Sequence, residues 1–218
     1  MIEIKRLEYN FFGVATYIVW DSEVRHAVVV DPGMMNGEEQ RHFDSFISSK
    51  GLEVTHLVNT HLHIDHTLGN DYVASRYGVV TEAHPADAPL GAQRGSQAEM
   101  FRLPIARPEP LVITTNLSDG DRISLDTGNP DDDLQVISVP GHSPGSIALY
   151  CKSAGWVIAG DALFQGSIGR TDLPGGDYAT LIESIRSRLL TLPPSTVVYP
   201  GHGPATTIGA EIRGNRFL

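Results

Sequence analysis

The 218-residue chain has a single cysteine, Cys151. No intrachain disulfide can form, and a metal site has to be built from nitrogen and oxygen ligands. Cys151 lies in the alternating run "SIALYCK" and reads as a strand residue rather than a nucleophile. No stretch approaches the roughly 18 apolar residues of a membrane span. The run "FFGVATYIVW" has the length of a secretory apolar core, but Glu3 and Glu8 precede it and no small-residue cleavage site follows. It reads as a strand, and the expected location is the cytoplasm. Basic runs are missing too. Sixteen Lys and Arg face 26 Asp and Glu, for a net charge of −10, which argues against nucleic acid or an anionic membrane surface as partner. Low-complexity tracts and short repeats are absent. The length suits one domain spanning 1–218, enough to bury a core.

Histidine, by contrast, is concentrated. Three of the nine histidines and an aspartate fall within six positions, "HLHIDH": His61, His63, Asp65 and His66. Imidazoles pack poorly against one another but are the commonest metal ligands. The surrounding pattern is α/β. "YIVW" and "HAVVVDPG" read as strands joined by a turn at Asp21–Glu23. Glu38–Lys50 carries Phe43, Phe46 and Ile47 at helical spacing and is stopped by Gly51. "VTHLVNT" is a buried strand, residues 66–78 a helix ending at Gly78, and 79–80 the start of a further strand. The proline-rich stretch 85–118 reads as irregular. Strands are expected near 121–125, 134–139, 146–151 and 156–160, then a helix over Asp177–Leu190, a last strand "TVVYP" and a closing helix at 206–213.

On this map four apolar strands each run into a metal-capable side chain: His61, His142, Asp161 and His202, the last three directly after a glycine. In α/β folds, sites form beyond the carboxyl ends of strands. With His63, Asp65 and His66 the donors number seven, too many for one catalytic ion and suited to two that share a ligand. Asp161, with two carboxylate oxygens, is the best candidate to bridge.

"THLHIDH", "PGHSPGS", "GDALF" and "YPGHGP" resemble, in order, the motifs of the metallo-β-lactamase superfamily. The resemblance implies an αββα four-layer sandwich, two mixed sheets with helices outside. It implies one metal at His61, His63 and His142 and a second at Asp65, His66 and His202, bridged by Asp161, with a bridging hydroxide as nucleophile. Zinc is the expected metal, with iron or manganese as alternatives. "GDALFQGSIGRTDLPGGD" resembles the hydroxyacylglutathione hydrolase (glyoxalase II) group, in its short form without a separate C-terminal helical domain. Arg216 stands where that group usually has proline. The implied reaction is hydrolysis of a small-molecule thioester such as S-D-lactoylglutathione, with Asp65 and Asp161 as catalytic carboxylates and Arg170 as a cationic substrate contact. Three readings compete: a mononuclear-iron persulfide dioxygenase, which shares "GRTD", a lactonase or β-lactamase, and a metal-bearing binding domain without turnover.

Other residues read as structural. His84 is expected to cap a loop, His26, His42 and His56 lie outside every motif, and 131–133 is a solvated turn. Phe11 and Phe12 suit either a substrate pocket wall or the core. Asp31 in "VVVDPG" suits either a turn or a hydrogen bond that orients a ligand.

Overall fold

The structure, a computed structural model, describes residues 1–218. The chain divides into two compact units, Met1–Asn116 and Leu117–Leu218.

In the first unit β1 (Ile2–Tyr9), β2 (Val14–Asp21), β3 (His26–Val30), β4 (Glu53–Val58), β5 (Thr81–Ala83) and β6 (Thr115–Asn116) form one sheet in chain order. The pairs β1–β2 and β2–β3 are antiparallel; β3 through β6 run parallel. A parallel step needs a crossover, and between β3 and β4 it is α1 (Gly37–Lys50). Asn36 starts α1 by accepting from the N–H groups of Glu38 and Glu39; Gly51 ends it in the left-handed conformation. Phe43 and Ile47 are buried with Ile18, Trp20, Val29 and Leu57. The helix expected over 66–78 is instead two, α2 (Ile64–Thr67) and α3 (Asn70–Tyr77). The break falls at Gly69, whose N–H reaches the Pro32 carbonyl at 2.7 Å; a Cβ there would sit 2.9 Å from that oxygen. The next strand begins at Thr81, not at 79.

The stretch 85–118 is not irregular throughout. A 3-10 turn (Pro85–Asp87), α4 (Ala88–Ala92) and α5 (Arg94–Met100) fill its first half. Pro85 and Pro89 sit in the first helical positions, where a missing N–H removes no bond. Strand β1 is not evident in the sequence because its apolar alternation slips between Ile4 and Leu7.

In the second unit β7 (Arg122–Ile123), β8 (Leu134–Ser138), β9 (Ile147–Cys151) and β10 (Trp156–Gly160) form an antiparallel run. A small hairpin follows, β11 (Leu163–Phe164) with β12 (Ser167–Ile168). Then β13 (Val197–Pro200) pairs parallel to β10, and β14 (Thr206–Thr207) pairs antiparallel to β13. The main sheet has the order β14-β13-β10-β9-β8-β7. The expected helix over Asp177–Leu190 is present as α6 (Tyr178–Ser184) and a π turn over Ile185–Leu189. Its Leu181, Ile185 and Leu189 pack with Ile137, Ala148, Val157 and Val198. The last helix is α7 (Ile208–Gly214). No helix is long and apolar enough to cross a membrane. Cys151 is buried in β9, and burial pushes its thiol pKa up, as suits a packing residue.

One polar lock joins α1 to α3. Asp44 accepts from Tyr72 Oη at 2.6 Å, Tyr77 Oη at 2.7 Å and Arg76 Nε at 3.3 Å. Burial alone would raise the Asp44 pKa; the three donors outweigh it and hold the carboxyl below its ordinary value. A depressed folded-state pKa means stability that is present above the unfolded value of about 3.9 and is lost as pH falls through the folded one. Asp44→Ala is expected to cost about 1–3 kcal/mol at pH 7, and the cost should shrink below about pH 4. Denaturant melts at pH 7 and pH 3 check this; an equal loss at both would show that the charge of Asp44 contributes nothing.

Candidate functional site

Each unit brings a group of the expected donors together. In the first, β3 and β4 are parallel neighbours, so their carboxyl ends deliver Asp31 and the segment from Asn59 onward side by side; the Asp31 N–H reaches the Val58 carbonyl at 3.0 Å. His61 and His66 lie with ring centroids 4.1 Å apart, and His61 and His63 at 4.8 Å. Asp65 Oδ2 is 3.6 Å from His66 Nε2. All three histidines are buried and Asp65 is half-buried.

Asp31 is what sets this group in place. It adopts φ +50, a conformation that non-glycine residues rarely take. Its carboxylate accepts from the Thr60 N–H at 2.7 Å, from Thr60 Oγ1 at 2.6 Å and from His66 Nδ1 at 3.0 Å. Thr60 Oγ1, having given its proton to Asp31, is the acceptor for His61 Nδ1 at 3.1 Å. The network therefore assigns the Nδ1–H tautomer to both rings and leaves the lone pair of each on Nε2. Asp31, His61 and His66 do offer atoms within 4.8 Å of one another, but the Asp31 oxygens are already committed to three donors. Asp31 orients the His66 ring directly and the His61 ring through Thr60, and it is also the turn residue. Behind it Asn59 Nδ2 donates to the His66 carbonyl at 2.9 Å, and Asn70 Nδ2 donates back to Asn59 Oδ1 at 2.6 Å. Thr60, Asn59 and Asn70 carry no sequence signal beyond lying beside the motif.

In the second unit β10 and β13 are parallel neighbours, which places Asp161 and His202 at the same end; the Gly201 N–H reaches the Gly160 carbonyl at 2.8 Å. His142 Nε2 and His202 Nε2 each lie 3.6 Å from Asp161 Oδ2. His142 stands on a turn built by serines. Ser143 N–H reaches Ser146 Oγ at 3.1 Å, the two hydroxyls are 2.8 Å apart, and Gly141 N–H reaches the Ser143 carbonyl at 3.0 Å. His142 Nδ1 donates to the Arg170 carbonyl at 2.7 Å, so the lone pair is again on Nε2, the nitrogen that faces Asp161.

Arg170 thus acts first through its backbone. Its side chain is exposed and forms a two-pronged pair with Asp172, Nε–Oδ1 at 2.7 Å and Nη2–Oδ2 at 2.8 Å. The pair holds Asp172 at about 2, so both stay charged at any working pH. The hairpin before Arg170 is pinned by the "EIRGN" segment. Buried Glu211 accepts from Gly166 N–H at 2.9 Å, Thr206 Oγ1 at 2.6 Å and Asn215 Nδ2 at 2.8 Å, and Asn215 also reaches the Ser167 carbonyl at 3.0 Å. His84 caps the 3-10 turn by accepting from Ala86 N–H. His26, His42 and His56 pair with Glu53, Tyr9 and Glu82. Asp131 and Asp132 sit in a turn with Lys152 and Thr127. Phe12 packs on Phe101, whereas Phe11 is exposed.

The sequence profile of the Metallo-beta-lactamase superfamily matches residues 9–202. The hydroxyacylglutathione hydrolase GloC of Haemophilus influenzae is 36% identical over 208 residues, 92% of this chain and 91% of that protein. Among solved structures, the BLEG-1 B3 metallo-beta-lactamase is similar with a TM-score of 0.86 and 31% identity, covering 99% of both chains. TTHA1623, solved in a di-iron-bound form, is similar with a TM-score of 0.84 and 35% identity, covering 98% of this chain and all of the other. The chain belongs to the metallo-β-lactamase superfamily and has its α/β fold with two mixed sheets. It is a metallo-hydrolase by family.

Gly169 gives the second cluster a direct test. A Cβ on it would lie 1.8 Å from the Asp161 carbonyl oxygen and 3.2 Å from His142 Nδ1. Gly169→Ala is expected to push the Asp161 turn and the 169–170 backbone apart and loosen the bond that orients His142. Metal uptake, measured by competition with a chelator, should fall about 10- to 100-fold. Unchanged uptake would show that this backbone approach does not set the His142 ring.

Proposed function

We propose that the seven donors hold two divalent cations, and that the protein is a cytoplasmic thioesterase acting on small S-acylglutathione substrates such as S-D-lactoylglutathione. The observation that carries this reading is the donor set. Seven side chains offer only imidazole nitrogen and carboxylate oxygen, and His61, His66 and His142 have their Nδ1 protons directed elsewhere. Such a set fits zinc first, with iron or manganese as alternatives. The di-iron form of a similar protein supports two ions, and the hydroxyacylglutathione hydrolase relative supports the substrate class. His61, His63 and His142 would hold one ion and Asp65, His66 and His202 the other.

When bound, such ions supply a water acidic enough to give hydroxide near neutral pH and positive charge for a developing oxyanion. Asp161, with two histidine Nε2 atoms 3.6 Å from one of its oxygens, is the carboxylate suited to be shared and to offset that charge. Asp65 is the second catalytic carboxylate, suited to hold a proton of the attacking water. A thiolate leaves readily, so no protein acid is required. Arg170 would take a carboxylate of the thiol carrier in place of Asp172. An exposed ion pair contributes only about 0–1 kcal/mol, so the exchange is cheap. The likeness to a B3 metallo-beta-lactamase favours lactam hydrolysis as a second reading of the same donors.

Protein purified without added metal is expected to carry two ions per chain and to hydrolyse S-D-lactoylglutathione faster than a chromogenic cephalosporin. A single iron with oxygen consumption would move the assignment to a dioxygenase, and the reverse substrate preference to a lactamase. Asp161→Asn is expected to lose at least one ion with the fold retained; two ions and normal turnover would show that Asp161 is not shared. Arg170→Ala should raise KM by up to about fivefold at nearly constant kcat, the effect of losing an exposed charge pair of about 0–1 kcal/mol. Asp172→Asn, which frees the guanidinium, should lower KM. Equal KM in all three proteins would remove Arg170 from substrate binding.

A further inference from the structure

The two residues interleaved among the first three donors, Leu62 and Ile64, are both buried. Their side chains enter separate small apolar clusters, Leu62 with Ala83, Leu90 and Leu111, and Ile64 with Ala98 and Leu103. Their N–H groups have no partner within α2, because Ile64 opens that helix and His63 supplies no side-chain cap. Both are met by side chains from the stretch after β5. The Leu62 N–H donates to Asp87 Oδ2 at 3.0 Å, and the Ile64 N–H to Gln97 Oε1 at 3.0 Å. At the far end of α2, Arg94 Nη2 donates to the Thr67 carbonyl at 3.0 Å. The three gripping side chains are themselves buried, Arg94 at 1% exposure and Asp87 at 0%.

They are also held from behind. Gln97 Nε2 donates to the Leu90 carbonyl at 2.8 Å, which fixes the amide so that its oxygen faces Ile64. Arg94 Nη1 reaches Asp71 at 3.1 Å and the Glu109 carbonyl at 3.2 Å. Asp87 closes the 3-10 turn and Arg94 and Gln97 lie one turn apart on α5, so consecutive short helices present all three to the same strip of backbone.

We propose that Asp87, Gln97 and Arg94 are positioning residues that clamp the backbone of His61–Thr67 from the side opposite the donors, and so set metal affinity without touching a metal. A shift of the Leu62 or Ile64 peptide carries His61, His63 and Asp65 with it, because each of those donors is an immediate chain neighbour of a clamped N–H. Losing one clamp bond leaves a buried N–H without an acceptor, which favours a rotated peptide and displaced donors. The stretch 85–101 is therefore part of the metal-binding apparatus of the first unit rather than a loop laid over it. The inference rests on the metal-centre reading above.

The test compares variants that remove the accepting oxygen with variants that keep it, using the full chain stripped of metal and titrated with zinc against a chromophoric chelator. Gln97→Met removes the acceptor at similar volume; Gln97→Glu keeps an oxygen facing Ile64. Asp87→Leu and Asp87→Asn form the second pair. The expected result is a zinc affinity about 10- to 100-fold weaker for Gln97→Met and Asp87→Leu and within about threefold of the parent for Gln97→Glu and Asp87→Asn. The visible spectrum of the cobalt(II) form should change in the first two only, with the far-ultraviolet circular dichroism of the metal-free proteins unchanged. If Asp87→Leu does not fold, the Gln97 pair decides. Parent-like affinity and cobalt spectrum in Gln97→Met, whatever its melting temperature, overturns the clamp, as does equal weakening in Gln97→Met and Gln97→Glu. A parent protein that binds no zinc, cobalt, iron or manganese overturns the metal centre itself, a separate outcome.

Discussion

An imidazole can give a lone pair to a cation from one nitrogen only if its proton rests on the other, and that constraint governs how the histidine-bearing turns are built. His66 delivers its Nδ1 proton to Asp31, His61 to Thr60 Oγ1, and His142 to the Arg170 carbonyl. Each acceptor is fixed in turn. Asp31 is held at a left-handed φ by the turn after β3, Thr60 is fixed by Asp31, and the Arg170 carbonyl follows a hairpin pinned by Glu211 and Asn215. An acceptor missing from any of these positions would let the ring flip or change tautomer, and the donor atom would face the wrong way.

The parallel strand pairs explain why these acceptors are where they are. Two parallel neighbours end at the same edge of a sheet, so a residue just past one strand lies beside a residue just past the other. Asp31 follows β3 and His61 follows β4; Asp161 follows β10 and His202 follows β13. Antiparallel neighbours would have sent the second residue to the far edge. The antiparallel strands β7, β8 and β9 serve a different end. They bury Val136, Leu149 and Cys151 and give β8 a rigid base from which the serine turn projects His142.

Much of this was legible in the sequence because it rests on spacing and on strand ends. The H-x-H-x-D-H cluster and the glycine-led donors need only their positions along the chain to be noticed, and the α1 and Asp177–Leu190 helices follow from apolar period and caps. What escaped the sequence depends on contacts between distant segments. Nothing local says that residues 66–78 must break at Gly69, since the cause is the Pro32 carbonyl more than thirty positions earlier. Prolines 85 and 89 suggested a loop, yet proline at a first helical position is as good a start signal as a stop. The sequence points to the Arg170 side chain, while its carbonyl makes the bond to His142; a backbone acceptor leaves no trace in residue type.

The clamp on α2 shows how a very short helix can carry a site. Four residues cannot hold a helix by their own hydrogen bonds, because nucleation fixes more dihedrals than it gains bonds. Ile64–Thr67 is helical because its ends are met from outside, at Ile64 N–H by Gln97 and at Thr67 C=O by Arg94, and because Ile64 is seated in an apolar cluster. The conformation of the His61–Thr67 segment is therefore a property of the segments around it, the end of β3 and the stretch from Asp87 to α5. The donors gain from this arrangement. A longer, self-sufficient helix would set them at helical spacing on one face, whereas a segment extended through His63 and helical from Ile64 can place His61, His63, Asp65 and His66 in one compact group from six consecutive positions.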